Sequence, residues 1–336
     1  MDNIRSQKQL HNSPSQFEVD FIELVTTHFR RVIKDTKESL DAGIWYGSDY
    51  YTAAHKLKRP EKLQKFVEEG SFFHGYAAGD VMDYVPDLQS PTGNRIYSYR
   101  IKKDVSPSEA LTKIEMGPSI LDCGNVYYLA VYYALKDMLS EEKFNHLCAA
   151  DSDFPMYITS DTTTPLLRLH KKVFITGEDS IKRGDYCYFS NINDYVIKHV
   201  AGDARGLNAF CYQETPKRYL VFGLSPLGVR RTDVECDLWH SYNTTPLNEG
   251  FYPSHLLTYM YKHYVLREED KSRALVHAHK DKHLTRKEFD AIPPRIALKG
   301  VPTQGKLRLW VYRFDFERLM TLEKTHIKNI RNVIIK

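Results

Sequence analysis

Met116-Gly117-Pro118-Ser119-Ile120-Leu121-Asp122-Cys123-Gly124-Asn125-Val126-Tyr127-Tyr128-Leu129-Ala130-Val131-Tyr132-Tyr133-Ala134-Leu135-Lys136-Asp137-Met138-Leu139 decides how this chain is read. No residue from Val126 to Leu135 is charged, so the segment has no solvent face. It falls short of the roughly 20 apolar residues that cross a bilayer, which leaves a helix buried on every side. Gly117 and Pro118 end what precedes it, and Ser119 or Asp122 is placed to cap the first free amides. Cys123 then sits in the first turn, where unpaired N–H groups and the helix dipole favour a thiolate over a thiol. Gly124 and Asn125 leave room for a substrate, so Cys123 is a candidate nucleophile. Two considerations pull the other way. Cysteine is often simply a small buried hydrophobe, and the adjoining Asp122 carboxylate raises a thiol pKa.

With 336 residues, 42% of them apolar, the chain can fill one large core or two modest ones. A net charge of +4, from 47 basic and 43 acidic residues, is too mild to argue for nucleic acid. No basic stripe interleaved with aromatics appears either, so no nucleic-acid partner is expected. Apolar runs are far below transmembrane length, and no membrane partner is expected. The polar start, through Pro14, lacks the apolar core of a signal peptide, which points to the cytoplasm and leaves signal-independent export open. Cys123, Cys148, Cys187, Cys211 and Cys236 form no close Cys-x-x-Cys pair, so a reducing compartment fits better than a disulfide scaffold or a zinc ribbon.

Residues 1–12 read as a disordered lead. Ser15 and Glu18 form a capping box for a helix whose apolar face runs from Phe17 through Phe21, Leu24, Val25, His28 and Val32 to Leu40. His28 on that face is expected to be a core histidine. Helices are also expected at 61–69, after Ser106-Pro107, and over Ser140 to Cys148. A strand is expected from Arg95 to Ile101. From 154 the pattern changes to short strands: Met156–Thr159, Lys172–Thr176, Asp185–Phe189, Tyr195–Val200, Ala209–Gln213 and Arg218–Leu224. The last third predicts a helix over Phe251–Glu268, a basic helix or loop over Lys271–Lys287, a strand over Leu307–Phe316 and a helix over Arg318–Lys336. Helices followed by a mainly antiparallel sheet on a central Cys-bearing helix give an α+β class, in the order of a papain-type cysteine fold. Three further motifs fail on their own terms. Gly300 to Lys306 has P-loop spacing but lacks the Ser/Thr at Leu307, and His279-Lys280-Asp281-Lys282-His283 lacks a zinc protease's Glu. Gly223-Leu224-Ser225-Pro226-Leu227-Gly228 has the wrong spacing for a serine elbow.

Five stretches in order resemble the bacterial spore-coat type protein-glutamine gamma-glutamyltransferases, small transglutaminases with a papain-like fold. They are Pro107-Ser108-Glu109-Ala110-Leu111, Met116-Gly117-Pro118, Leu121-Asp122-Cys123 with the tyrosine-rich helix, Ser140-Glu141-Glu142-Lys143-Phe144-Asn145, and Gly184-Asp185-Tyr186-Cys187-Tyr188-Phe189-Ser190-Asn191. The resemblance spans about residues 17–225. It implies a transglutaminase-like domain over 13–225, with 226–336 as a C-terminal α/β extension packed on it. It implies Cys123 as nucleophile, protein glutamine and lysine side chains as substrates, and no cofactor or metal.

The pattern departs from the family at two positions. Leu207, in Ala204-Arg205-Gly206-Leu207-Asn208, stands where the family has a catalytic glutamate. Phe222, in Tyr219-Leu220-Val221-Phe222-Gly223, stands where it has a histidine. Neither can move a proton, and both would dry the site. His199 and Asp203 are the nearest ionisable candidates to take over, with His240 a further one. Each also has an ordinary reading, as a strand residue, a turn residue and a core histidine. Asn208 and Asp185 are expected to be structural. Two functions therefore stand side by side: acyl transfer on protein glutamine through a Cys123 thioester, by cross-linking or deamidation, or a catalytically dead binding scaffold.

Overall fold

A computed structural model describes residues 15–34, 39–59, 80–89, 95–121, 123–159, 165–175, 177–192, 195, 198, 199, 204, 206–244, 281–292 and 309–321. The helices expected at 61–69 and 251–268, most of the basic helix or loop at 271–287, and residues 322–336 of the last expected helix lie outside them, as do Asp122, Asp203 and residues 300–306.

In chain order the elements are α1 (Gln16–Lys34), β1 (Ile44–Tyr46), α2 (Gly47–Lys56), β2 (Met82–Gln89), β3 (Arg95–Ile101), α3 (Pro107–Met116), β4 (Ser119–Leu121) and α4 (Cys123–Leu139). They continue with α5 (Glu141–Cys148), β5 (Tyr157–Thr159), β6 (His170–Val173), β7 (Tyr186–Ser190), β8 (Gly206–Glu214), β9 (Lys217–Val221), α6 (Arg231–Asn243), α7 (Arg286–Ala291) and β10 (Leu309–Phe314). The mixed helix-and-sheet class expected from the sequence is what the chain forms. Local chemistry sets several of these ends. Ser15 and Glu18 make the reciprocal capping bonds expected of them, at 2.9 and 3.3 Å. Ser106 Oγ accepts from Glu109 N ahead of Pro107 at the start of α3. Gly117 ends α3 at φ +71°, and a Cβ there would meet Gly43 O at 2.1 Å, so only glycine fits.

The main sheet has the order β6-β10-β7-β8-β9, with every neighbouring pair antiparallel. A second sheet runs β2-β3-β5, and β1 pairs with β4 in parallel. Helix α4, buried on every side from Cys123 to Leu135, lies between α1 and the main sheet. Its tyrosines can be interior because their hydroxyls are satisfied there. Tyr133 donates to Leu111 O and Glu115 Oε2, and Tyr132 Oη accepts from Tyr157 N. His28 is a core histidine as expected, stacked on Tyr133 with Nε2 2.7 Å from Asp137 Oδ2.

The structure differs from the sequence expectation in two places. Ser119 pairs with Ile44 in a strand and so does not cap α4. Tyr195 and Lys198 are helical, because His199 N bonds back to Tyr195 O at 2.7 Å and closes a helical turn instead of a strand ladder. The segment after residue 226, expected as a C-terminal extension packed on the domain, supplies an inner strand of the main sheet. β10 sits between β6 and β7, and Arg313 reaches from it to the buried Asp185 carboxylate through Nε at 2.7 Å and Nη2 at 2.8 Å. Lys182 N completes the shell around Asp185 at 2.8 Å. Asp185 is thus a structural anchor, as the sequence led one to expect.

Candidate active site

Cys123 is the first residue of α4 and is 6% exposed. Across from it runs β8, whose side chains alternate between two faces. Phe210 packs against Tyr127 of α4 and Phe29 of α1, so Asn208, Phe210 and Tyr212 face the helices. Leu207 lies on the opposite face with its strand partner Phe189, which packs edge-on to Tyr219. The residue that meets the sulfur is therefore Asn208. Its backbone N–H and its side-chain Nδ2 both donate to Cys123 Sγ, each at 3.2 Å.

Two N–H donors on one sulfur, at the N-terminus of a buried helix, are an arrangement able to hold negative charge on that atom. The side-chain donor is held in a fixed orientation. Tyr186 Oη donates to Asn208 Oδ1, which turns the amide nitrogen towards the sulfur. Tyr186 is stacked on Tyr127 with ring centroids 4.2 Å apart. Tyr127 Oη in turn lies 2.7 Å from His170 Nε2, and His170 Nδ1 lies 3.1 Å from Leu166 O. Burial pushes His170 down to about 4, so the imidazole is neutral. Its Nδ1–H then donates to Leu166 O and its Nε2 accepts from Tyr127. Burial likewise holds the Tyr127 hydroxyl well above the ordinary range, so it stays a donor.

This buried imidazole has a consequence for stability. With a folded pKa near 4 against about 6.5 unfolded, the unfolded chain binds more protons between those values. Unfolding free energy should therefore fall by about 3 kcal/mol as pH drops from 7 towards 4. His28 and His199, also lowered chiefly by burial, act in the same direction. Urea titrations at pH 7 and 4.5 measure the slope, and His170→Gln should flatten it.

The other candidates lie elsewhere. His199 is buried, stacks on Tyr195 at 4.8 Å and has Nε2 2.8 Å from Tyr242 O, a bond to α6 and not to the sulfur. His240 is exposed on α6, with its ring beside Trp239. Asp203 is outside the described residues. Phe222 packs edge-on to Tyr46 at 5.2 Å. Asn208 was expected to be structural. The signal that could have singled it out is strand alternation: if Leu207 points to one face, its neighbour points to the other.

Among the described residues no group of three His, Cys, Asp or Glu side chains is placed to hold a metal ion, and no helix is long and apolar enough to cross a membrane. No family profile matches the sequence, and no curated protein matches it. Among solved structures the chain is similar to a transglutaminase from Geobacillus stearothermophilus, without its C-terminal extension. The two share 15% identity and a TM-score of 0.42, over 68% of this chain and 86% of that one.

Proposed function

We propose that the protein is a cysteine-dependent acyltransferase of transglutaminase type, acting on glutamine side chains of proteins. The observation that carries the proposal is the pair of Asn208 N–H groups aimed at Cys123 Sγ. The motifs of residues 107–191 support the same reading. In the proposed step the sulfur attacks the carboxamide carbon and the C–N bond breaks. The proton that the thiol gives up leaves with the departing ammonia. The thioester then passes its acyl group to a lysine amine, giving a cross-link, or to water, giving glutamate. Asn208 holds charge on the sulfur in this scheme and carries no proton.

A second reading, a binding scaffold that has kept the fold and lost the chemistry, draws on the commitment of His199 to Tyr242 O. Competitive alkylation of the folded protein separates the two. Burial pushes the Cys211 thiol up to about 12, and Cys148 and Cys187 higher still, so these should label very slowly. Half-buried Cys236 serves as the reference. Under limiting iodoacetamide near pH 7, Cys123 should label ahead of Cys236. Asn208→Leu should slow Cys123 by about 10–100-fold, the loss of one hydrogen bond to a charged acceptor. Labelling of Cys123 no faster than Cys236, and unchanged by Asn208→Leu, would favour the scaffold.

A further inference from the structure

The chain has three tryptophans, and two of their indole N–H groups are satisfied. Trp45 Nε1 donates to Ala42 O at 2.9 Å, and Trp239 Nε1 to Leu284 O at 2.8 Å. Trp310 is different. It is 4% exposed, and its Nε1–H finds no acceptor among the described residues. A buried donor left without a partner is unfavourable, and such groups are rare in folded proteins.

Its position gives the vacancy a meaning. Trp310 is the register partner of Tyr188, and Tyr188 is the register partner of Asn208. The three residues form one row across β10, β7 and β8. On β10 the face is fixed by Phe314, which packs on His170 and on Phe21 of α1. Trp310, four residues earlier, therefore stands on the same face of the sheet as Asn208 and the sulfur it contacts. The row ends at Cys123 on one side and at the unsatisfied indole on the other. Half-exposed Tyr188, with its ring 5.6 Å from that of Trp310, lies between them. Two strand spacings are about 10 Å. That is about the reach of a glutamine side chain plus one residue of extended main chain.

We propose that Trp310 is a positioning residue whose indole N–H takes a main-chain carbonyl of the acyl-donor peptide, leaving its glutamine carboxamide at Cys123 Sγ. The peptide enters by displacing the half-exposed Tyr188 ring, which lies between Trp310 and Asn208 in the row. The proposal rests on the acyl-transfer reading of Cys123 and adds the part of the substrate that is held away from the reacting bond.

The test uses full-length protein labelled with ¹⁵N at the indole nitrogens and a blocked glutamine dipeptide as probe, in the Cys123→Ser background to prevent turnover. The expected result is a downfield shift of the Trp310 Nε1 proton on titration, with Trp45 and Trp239 unmoved. In the native-cysteine protein Trp310→Phe should raise KM for the dipeptide about tenfold, one neutral hydrogen bond, with kcat nearly unchanged. If the dipeptide is turned over at Cys123 while the Trp310 signal stays still and Trp310→Phe leaves KM alone, the inference is wrong and the acyl-transfer reading survives. If the Trp310 proton lies far upfield and does not move, its donor is spent on the Tyr188 ring and the inference is likewise overturned. If neither turnover nor any shift is seen, both fall.

Discussion

If the protein is the acyltransferase proposed, Cys123→Ser should abolish release of ammonia from a blocked glutamine dipeptide, by more than about 10³-fold in kcat. The replacement is nearly isosteric, and the new hydroxyl oxygen can still accept from Asn208 N and Nδ2, so the fold and the site's polar contacts are kept. What is lost is the nucleophile. Two N–H donors and a helix N-terminus can hold charge on a sulfur whose ordinary pKa is near 8.5, but they cannot bring an alcohol close to ionisation at neutral pH. Coupled ammonia detection follows the reaction, and unfolding of both proteins in urea verifies that the variant is native. Residual activity within tenfold of the parent would place the chemistry at another residue.

Asp185→Ala destabilises the protein by about 3–5 kcal/mol. The carboxylate has no exposure to solvent and takes both of its Arg313 hydrogen bonds from β10, so its removal leaves a part-buried guanidinium without its partner. It also frees Lys182 N, the third donor on Asp185. The loss should appear as a lower urea midpoint with an unchanged slope. Replacing Asp185 and Arg313 together by leucine and methionine should recover part of it, because the larger cost is the uncompensated charge. A change below about 1 kcal/mol in the single variant would mean that the ion pair does not pin β10 to the Asp185 turn.

How far the sequence could be read follows the range of the interactions involved. The Ser15–Glu18 box, the Ser106 cap and the buried run from Val126 to Leu135 are local, and each forms where it was expected. The strands around Tyr186, Phe210 and Tyr219 were legible for the same reason, as short apolar runs between turns. Long-range pairing was not. Nothing in Leu309–Phe314 says that it inserts between β6 and β7, since the partners lie more than a hundred residues away in sequence, and an isolated strand does not encode its neighbours. The composition of Tyr195–Val200 is β-prone and predicts a strand, yet of its described residues Tyr195 and Lys198 are helical, with His199 N bonded to Tyr195 O and Ala204 N to Tyr195 Oη.

The site shows the same division. Cys123 at the helix start was legible from the break at Gly117-Pro118 and the uncharged run that follows. Its contact with Asn208 was not legible: Leu207 stands where the resembling family has an acid, and the pleat turns Leu207 away and brings Asn208 to the sulfur. The support behind Asn208, from Tyr186 through stacked Tyr127 to His170, joins three separate elements and could be seen only once they were folded together.

Whether Cys123 attacks glutamine carboxamides is decided most directly by the intact mass of the protein, quenched in acid during turnover of a blocked glutamine dipeptide without added amine. Catalysis at Cys123 predicts a gain equal to the dipeptide less one ammonia, located on the peptide that carries Cys123 and removed by hydroxylamine. Turnover with no adduct on that peptide, or an adduct that survives in Cys123→Ser, would contradict it.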